Sequence, residues 1–111
     1  MKFTKCDDIE LMGNKGIPLP DNVKGLRSGP WTIHHDYHYH YIVSVQGLAI
    51  MDCWYASNAR CAVRAFAALP LDWSMPLEEL KVKVQEYKPQ CLDIINKYRL
   101  VKVQVKDKGN D

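Results

Sequence analysis

The chain is poor in the features that announce a function at sight. Its longest apolar stretches fall far short of the roughly 18 residues a membrane-spanning helix needs, which excludes a helical membrane anchor within it. No G-x-S-x-G, H-E-x-x-H or phosphate-cradling glycine loop occurs, so the common hydrolase, metalloprotease and nucleotide-binding motifs are absent. Its four cysteines, Cys6, Cys53, Cys61 and Cys91, never stand two residues apart, which removes zinc knuckles and dithiol redox motifs. Charge is also scarce in one sense: 15 Lys and Arg against 13 Asp and Glu leave a net +2, too near balance to indicate a nucleic-acid or membrane partner.

What remains describes an ordinary globular protein. At 111 residues, with 47% hydrophobic and 25% charged residues, the chain has the size and composition of one domain with a packed core. The start "MKFTKCDDIELMGNKG" meets two acids before any apolar run develops and does not read as a secretory leader, so a cytoplasmic protein with free thiols is expected.

Residues 1–30 are expected to be irregular apart from a helical turn in "DDIELM", because Gly13, Gly16, Pro18, Pro20, Gly25, Gly29 and Pro30 deny most of this stretch a helix or a central strand. From Trp31 the pattern alternates. Trp31, Ile33 and His35 fall on one side of a strand, and after "HDY" the set Tyr37, Tyr39, Tyr41, Val43 and Val45 opposes His38, His40, Ile42, Ser44 and Gln46. Gln46-Gly47 reads as a hairpin turn into "LAIMDCWY". Strands are therefore predicted near 31–35, 38–46 and 48–54, with the Tyr/Val side inward and the His side outward.

"SNARCAVRAFAALP" predicts a helix over 57–69, with Ser57 as N-cap, an alanine-rich interior and Pro70 as terminator. Only Arg60 and Arg64 interrupt its apolar circumference, and Cys61 falls on the side expected to be buried. A helical region over 77–98 follows, entered through Pro76 and broken or restarted at Pro89. Val101, Val103 and Val105 predict a last edge strand, and 107–111 a frayed tail. The fold class is thus α+β: an antiparallel sheet of three to four strands covered on one face by two or three helices, in one domain over 1–111.

The chemistry worth weighing sits in "WTIHHDYHYHYIVSV", which holds all four histidines. His38 and His40 lie on one side of a strand about 7 Å apart, a spacing that suits a zinc-like ion, with His35 as third ligand and His34 or Asp36 as substitutes. Catalysis would pair a histidine with Cys53 or Cys61 as nucleophile and Asp36 or Asp52 as orienting acid, but no motif fixes such a triad. Base stacking on Tyr37, Tyr39 and Tyr41 with Lys102 and Lys106 on phosphates conflicts with the same face continuing into Val43 and Val45, so a nucleic-acid partner is not expected.

A non-enzymatic module that binds a protein partner or a second copy of itself is the reading these residues favour. Its contact residues would be His38, His40, Trp54, Trp73, Arg60 and Arg64, joined by the 13–30 loop, and it would need no cofactor. The alternative is a zinc-type metal protein built on His35, His38 and His40. The layout of "GPWTIHHDYHYHYIVSV" followed by "SNARCAVRAFAAL", from Gly29 to Leu69, resembles that of small α/β accessory proteins encoded by bacteriophages and mobile elements. That resemblance implies a stand-alone protein that modifies or blocks a host component.

Overall fold

The computed structural model describes residues 1–11, 23–35 and 40–99. Five strands, β1 (Thr4–Ile9), β2 (Val23–Ser28), β3 (Trp31–His35), β4 (Tyr41–Val45) and β5 (Leu48–Cys53), precede three helices, α1 (Ala56–Ala67), α2 (Leu77–Glu86) and α3 (Lys88–Arg99). The strands form one antiparallel sheet in the order β1-β2-β3-β4-β5, so the fold is α+β, with five strands in place of the three or four predicted. The predicted strand at 101–105 and the tail at 107–111 lie outside the described residues.

Both additional strands come from the segment predicted to be irregular. Cys6 to Ile9 belong to β1, which bulges between Cys6 and Ile9, where "DDIELM" had suggested a helical turn. Polar, charged residues suit β1 because it sits at the edge of the sheet among the described residues, with most side chains exposed. In β2 the obstacle to a strand reading was Gly25, and the structure supplies its reason. A Cβ added there would stand 2.1 Å from Ile33 O and 2.9 Å from Ile9 Cδ1, so the bare glycine allows close approach of neighbouring backbone.

The turns between β2 and β3 and between β4 and β5 use the residues that such turns require. Gln46 and Gly47 both have positive φ, 50° and 83°, as a two-residue primed hairpin turn demands, and Gly29 has φ 58°. The Gln46 N–H donates to Pro30 O at 2.9 Å, tying these two turns together.

Register assigns the faces. Trp31 pairs with Val45, Ile33 with Val43, and Val43 in turn with Met51, which places all five side chains on one face. Helix α1 packs against β3, β4 and β5 on that face, while α3 packs on β5 and α1. Phe66 of α1 stacks on Trp31 with ring centres 5.5 Å apart, and Trp73 comes within 4.8 Å of Trp31. The Trp73 indole N–H donates to Phe66 O at 2.9 Å. Ala59, Ala62 and Val63 complete a dry layer whose small side chains let α1 lie close to the strands.

The opposite face differs from the expected hydrated row. Thr32 pairs with Ser44 and His34 with Ile42, and Thr32, His34 and Ser44 are all buried, Ser44 completely. Gln46, placed on that outward row by alternation, instead donates through Nε2 to Trp73 O (2.9 Å) and Met75 O (2.6 Å). Its positive φ in the turn redirects the side chain, which then fastens the loop between α1 and α2 to the end of the sheet.

The helices follow the predicted pattern with adjusted ends. Helix α1 spans Ala56–Ala67 with Tyr55 at the N-cap position and no side-chain capping bond, so Ser57 lies within its first turn rather than capping it. Pro89 sits in the first turn of α3, where its missing N–H costs no helical bond, and α2 ends just before it at Glu86. Asn58, buried in α1, donates to Tyr98 O at 2.9 Å and couples α1 to α3. Among the described residues no helix is long and apolar enough to cross a membrane.

Candidate functional site

The end of the sheet away from the Gln46-Gly47 turn carries most of the described candidate side chains. There β3 closes at His35 and β4 opens at Tyr41; these two are cross-strand partners, and their rings stack 4.4 Å apart and nearly parallel. Tyr41 pairs onward with Cys53 of β5. One residue outside that pair, His40 and Trp54 meet edge to face at 4.4 Å. Asp52 joins them: its Oδ2 lies 3.4 Å from His40 Nδ1, and its Oδ1 accepts from Arg99 Nε at 3.0 Å. Asp52 is therefore shared between an imidazole on the sheet and a guanidinium at the end of α3.

Trp54 is the exposed part of this rim, with 55% of its surface open to solvent, while His40 is half-buried beside it. The other residues named from sequence separate. Trp73 is buried in the core at 5% exposure, which overturns its assignment as a partner contact: its indole is occupied by Phe66 O and Trp31. Arg64 is exposed and lies over the Phe3 ring at 5.6 Å, and Arg60 is partly buried on the same helix. His38, Asp36, Tyr37 and Tyr39, with most of the 13–30 loop, lie outside the described residues.

Of the residues predicted to hold a metal, His38 and the substitute Asp36 lie outside the described residues. His35 shares a face with Tyr41, whereas His34 shares the other with Ile42, so neighbouring imidazoles point apart. The cross-strand partner of His35 is Tyr41. His40 is directed to Asp52 and Trp54. Among the described residues no three His, Cys, Asp or Glu side chains gather closely enough to hold a metal ion.

No family model, curated protein or solved structure matches this chain. The site is accordingly read from its own chemistry. A His-Asp pair performs acyl-transfer chemistry only with an activated nucleophile in reach. The thiol adjacent in sequence, Cys53, is pushed up to about 12 by burial and then by the Asp52 carboxylate, so it stays protonated and inert at neutral pH. Burial likewise raises Cys91. Cys61, expected on the buried side of α1, is exposed, because the buried stripe runs through Asn58, Ala59, Ala62, Val63 and Phe66 instead. All four thiols are free.

Arg99 is the member of the rim that sequence reading missed. A basic residue in the last turn of a helix is routine, since it faces the negative end of the dipole. Nothing local distinguishes it from Lys97. Only the docking of α3 on β5 brings it to Asp52.

Proposed function

We propose that this protein is a protein-binding module that engages its partner through the rim formed by His40, Asp52, Trp54 and Arg99. The observation that carries the reading is Trp54: a large aromatic side chain more than half exposed, braced edge-on by His40 beside an Asp-Arg ion pair. Exposed tryptophan and arginine dominate the energetic centres of protein interfaces, and a ring already fixed by a neighbour loses little rotamer freedom on docking. The accessory or inhibitory role implied by the layout of Gly29 to Leu69 is part of this proposal.

Photo-crosslinking from position 54 tests it. A photoreactive residue in place of Trp54 should yield one adduct of constant mass in the producing cells, whereas the same residue in place of Lys81, exposed on α2, should not. An adduct of twice the chain mass would identify the partner as a second copy. Identical adducts from both positions, or none from position 54, would remove the rim from the interface. With a partner in hand, Trp54→Ala should cost at least about 2 kcal/mol of binding.

A further inference from the structure

The two outer strands of the sheet are built differently. Strand β1 carries Lys5, Asp7 and Asp8 and bulges between Cys6 and Ile9, the charge and irregularity that keep an edge from pairing with another strand. Strand β5, at the other edge among the described residues, reads "LAIMDC" and meets its first charge only at Asp52. That composition does little to discourage a further strand. We propose that residues 101–105 of this same chain supply it, pairing antiparallel to β5 with Val101, Val103 and Val105 turned towards the helices and Lys102 and Gln104 towards solvent. This inference does not rest on the role given to Trp54.

The groove beside β5 sets what such a strand must carry. Leu48 and Ile50 of β5 meet Val45, Leu80 and Val84 around a space of about 110 Å³, flanked by Lys81 and Gln85. Small-molecule sites run to about 300–1,000 Å³, so this groove has the size of side chains and not of a ligand. Its apolar lining is incompletely covered: Leu80 is buried, while Leu48, Ile50 and Val84 are only half-buried. Ile50 is the residue passed over in the β4 register, between Ala49 opposite Ser44 and Met51 opposite Val43, and it lines the groove. Aliphatic side chains at every second position fit that lining. Val101, Val103 and Val105 repeat in this way, with Lys102 and Gln104 between them.

The chain is also delivered to the end of β5 from which an antiparallel strand must start. Helix α3 packs on β5 and ends at Arg99, whose Nε donates to Asp52 Oδ1 at 3.0 Å. The chain beyond Arg99 therefore starts within an arginine's length of Asp52, and a course from there towards Leu48 is antiparallel to β5. Five residues at about 3.4 Å each span about 17 Å, and Leu48 to Asp52 is also five residues. A tether this short gives residues 101–105 a high effective concentration at the edge, which favours them over a strand from a second copy or another protein. Docked there, they close an edge that either of those could otherwise extend.

Nuclear Overhauser contacts in the full chain test the pairing. Backbone contacts between residues 101–105 and Leu48–Asp52 are expected in antiparallel order, with slowed amide exchange in both segments. Val103→Asp should abolish the contacts and speed exchange along β5 by about tenfold or more, leaving the Trp31 and Phe66 signals in place. Lys102→Asp, on the solvent side, should change neither. A sample mixing labelled and unlabelled chains separates the occupants: contacts between different chains would give the edge to a second copy and overturn the proposal. So would an absence of contacts between residues 101–105 and β5, contacts in parallel order, or equal effects of the two substitutions.

Discussion

Trp31 and Thr32 are adjacent in β3 and both almost entirely buried, yet burial does opposite things to them. Trp31 faces α1 and lies against Phe66 and Trp73, where every contact replaces water with well-packed apolar surface. Thr32 faces away from α1 beside Ser44, and neither hydroxyl has a hydrogen-bond partner among the described residues. Burial therefore stabilises the fold at Trp31 and opposes it at the Thr32 and Ser44 hydroxyls. Burial alone does not define a core; the chemistry of what is buried decides the sign.

The largest test of this contrast is Trp31→Ala. Removing the indole from between Phe66 and Trp73 should cost about 3–5 kcal/mol in denaturant unfolding. A loss below about 1 kcal/mol would mean that the helix-covered face is not the main source of stability. Gly25→Ala comes next. Because the new methyl would collide with the Ile33 carbonyl, strand separation at β2–β3 should cost on the order of 1–3 kcal/mol, a destabilisation with no loss of apolar contact.

Alkaline pH probes the helix-covered face from another direction. Cys53 has its folded value raised to about 12 from an ordinary 9.0, so the folded state holds a proton that the unfolded chain releases first. That contribution is fully present below pH 9 and is lost as pH rises towards 12. Chemical unfolding measured across this range should show a decline in stability that is shallower in Cys53→Ala. Equal slopes would place the thiol in a more solvated setting.

Gln46→Ala removes two bonds to the loop that carries Trp73 and should cost about 1–2 kcal/mol, with faster amide exchange around Ser74 and Met75 as the local signature. The smallest expected effect has the opposite sign. Thr32→Val keeps the shape of the side chain and deletes the unpartnered hydroxyl, so stability should rise by about 1 kcal/mol, and Ser44→Ala should act in the same direction. A loss of comparable size from Thr32→Val would show that the hydroxyl is satisfied, and the contrast between the faces would weaken.

The sheet-helix arrangement was legible because its signals are local and periodic. Alternation from Trp31 to Val45, two positive-φ residues at Gln46-Gly47 and Pro89 each dictate structure within a few residues of themselves. Strand β1 was not legible: "TKCDDI" has neither alternation nor β-branched enrichment and becomes a strand only because β2 offers it hydrogen bonds. Strand β2 was hidden by Gly25, whose role depends on Ile9 and Ile33, distant in sequence. The rim was half legible. His35, His40 and Trp54 could be named from residue type, and Asp52 was weighed as an orienting acid. The register that sends His34 and His35 to opposite faces, and the approach of Arg99 to Asp52, are tertiary facts. Trp73 illustrates the converse error, since an aromatic residue flanked by polar loop residues looks available until Phe66 is seen to claim its N–H.

The strand order has a kinetic consequence. Each strand pairs with its immediate predecessor in the chain, so the sheet can be assembled one hairpin at a time, with a low mean separation between contacting residues. During synthesis the five strands leave the ribosome before α1, α2 and α3 do. For that interval Trp31, Ile33, Val43 and Val45 have nothing to cover them, and their sheet is a surface to which chaperones or other nascent chains can adhere. Emergence of Phe66 and Trp73, which pack on Trp31, is what covers that surface.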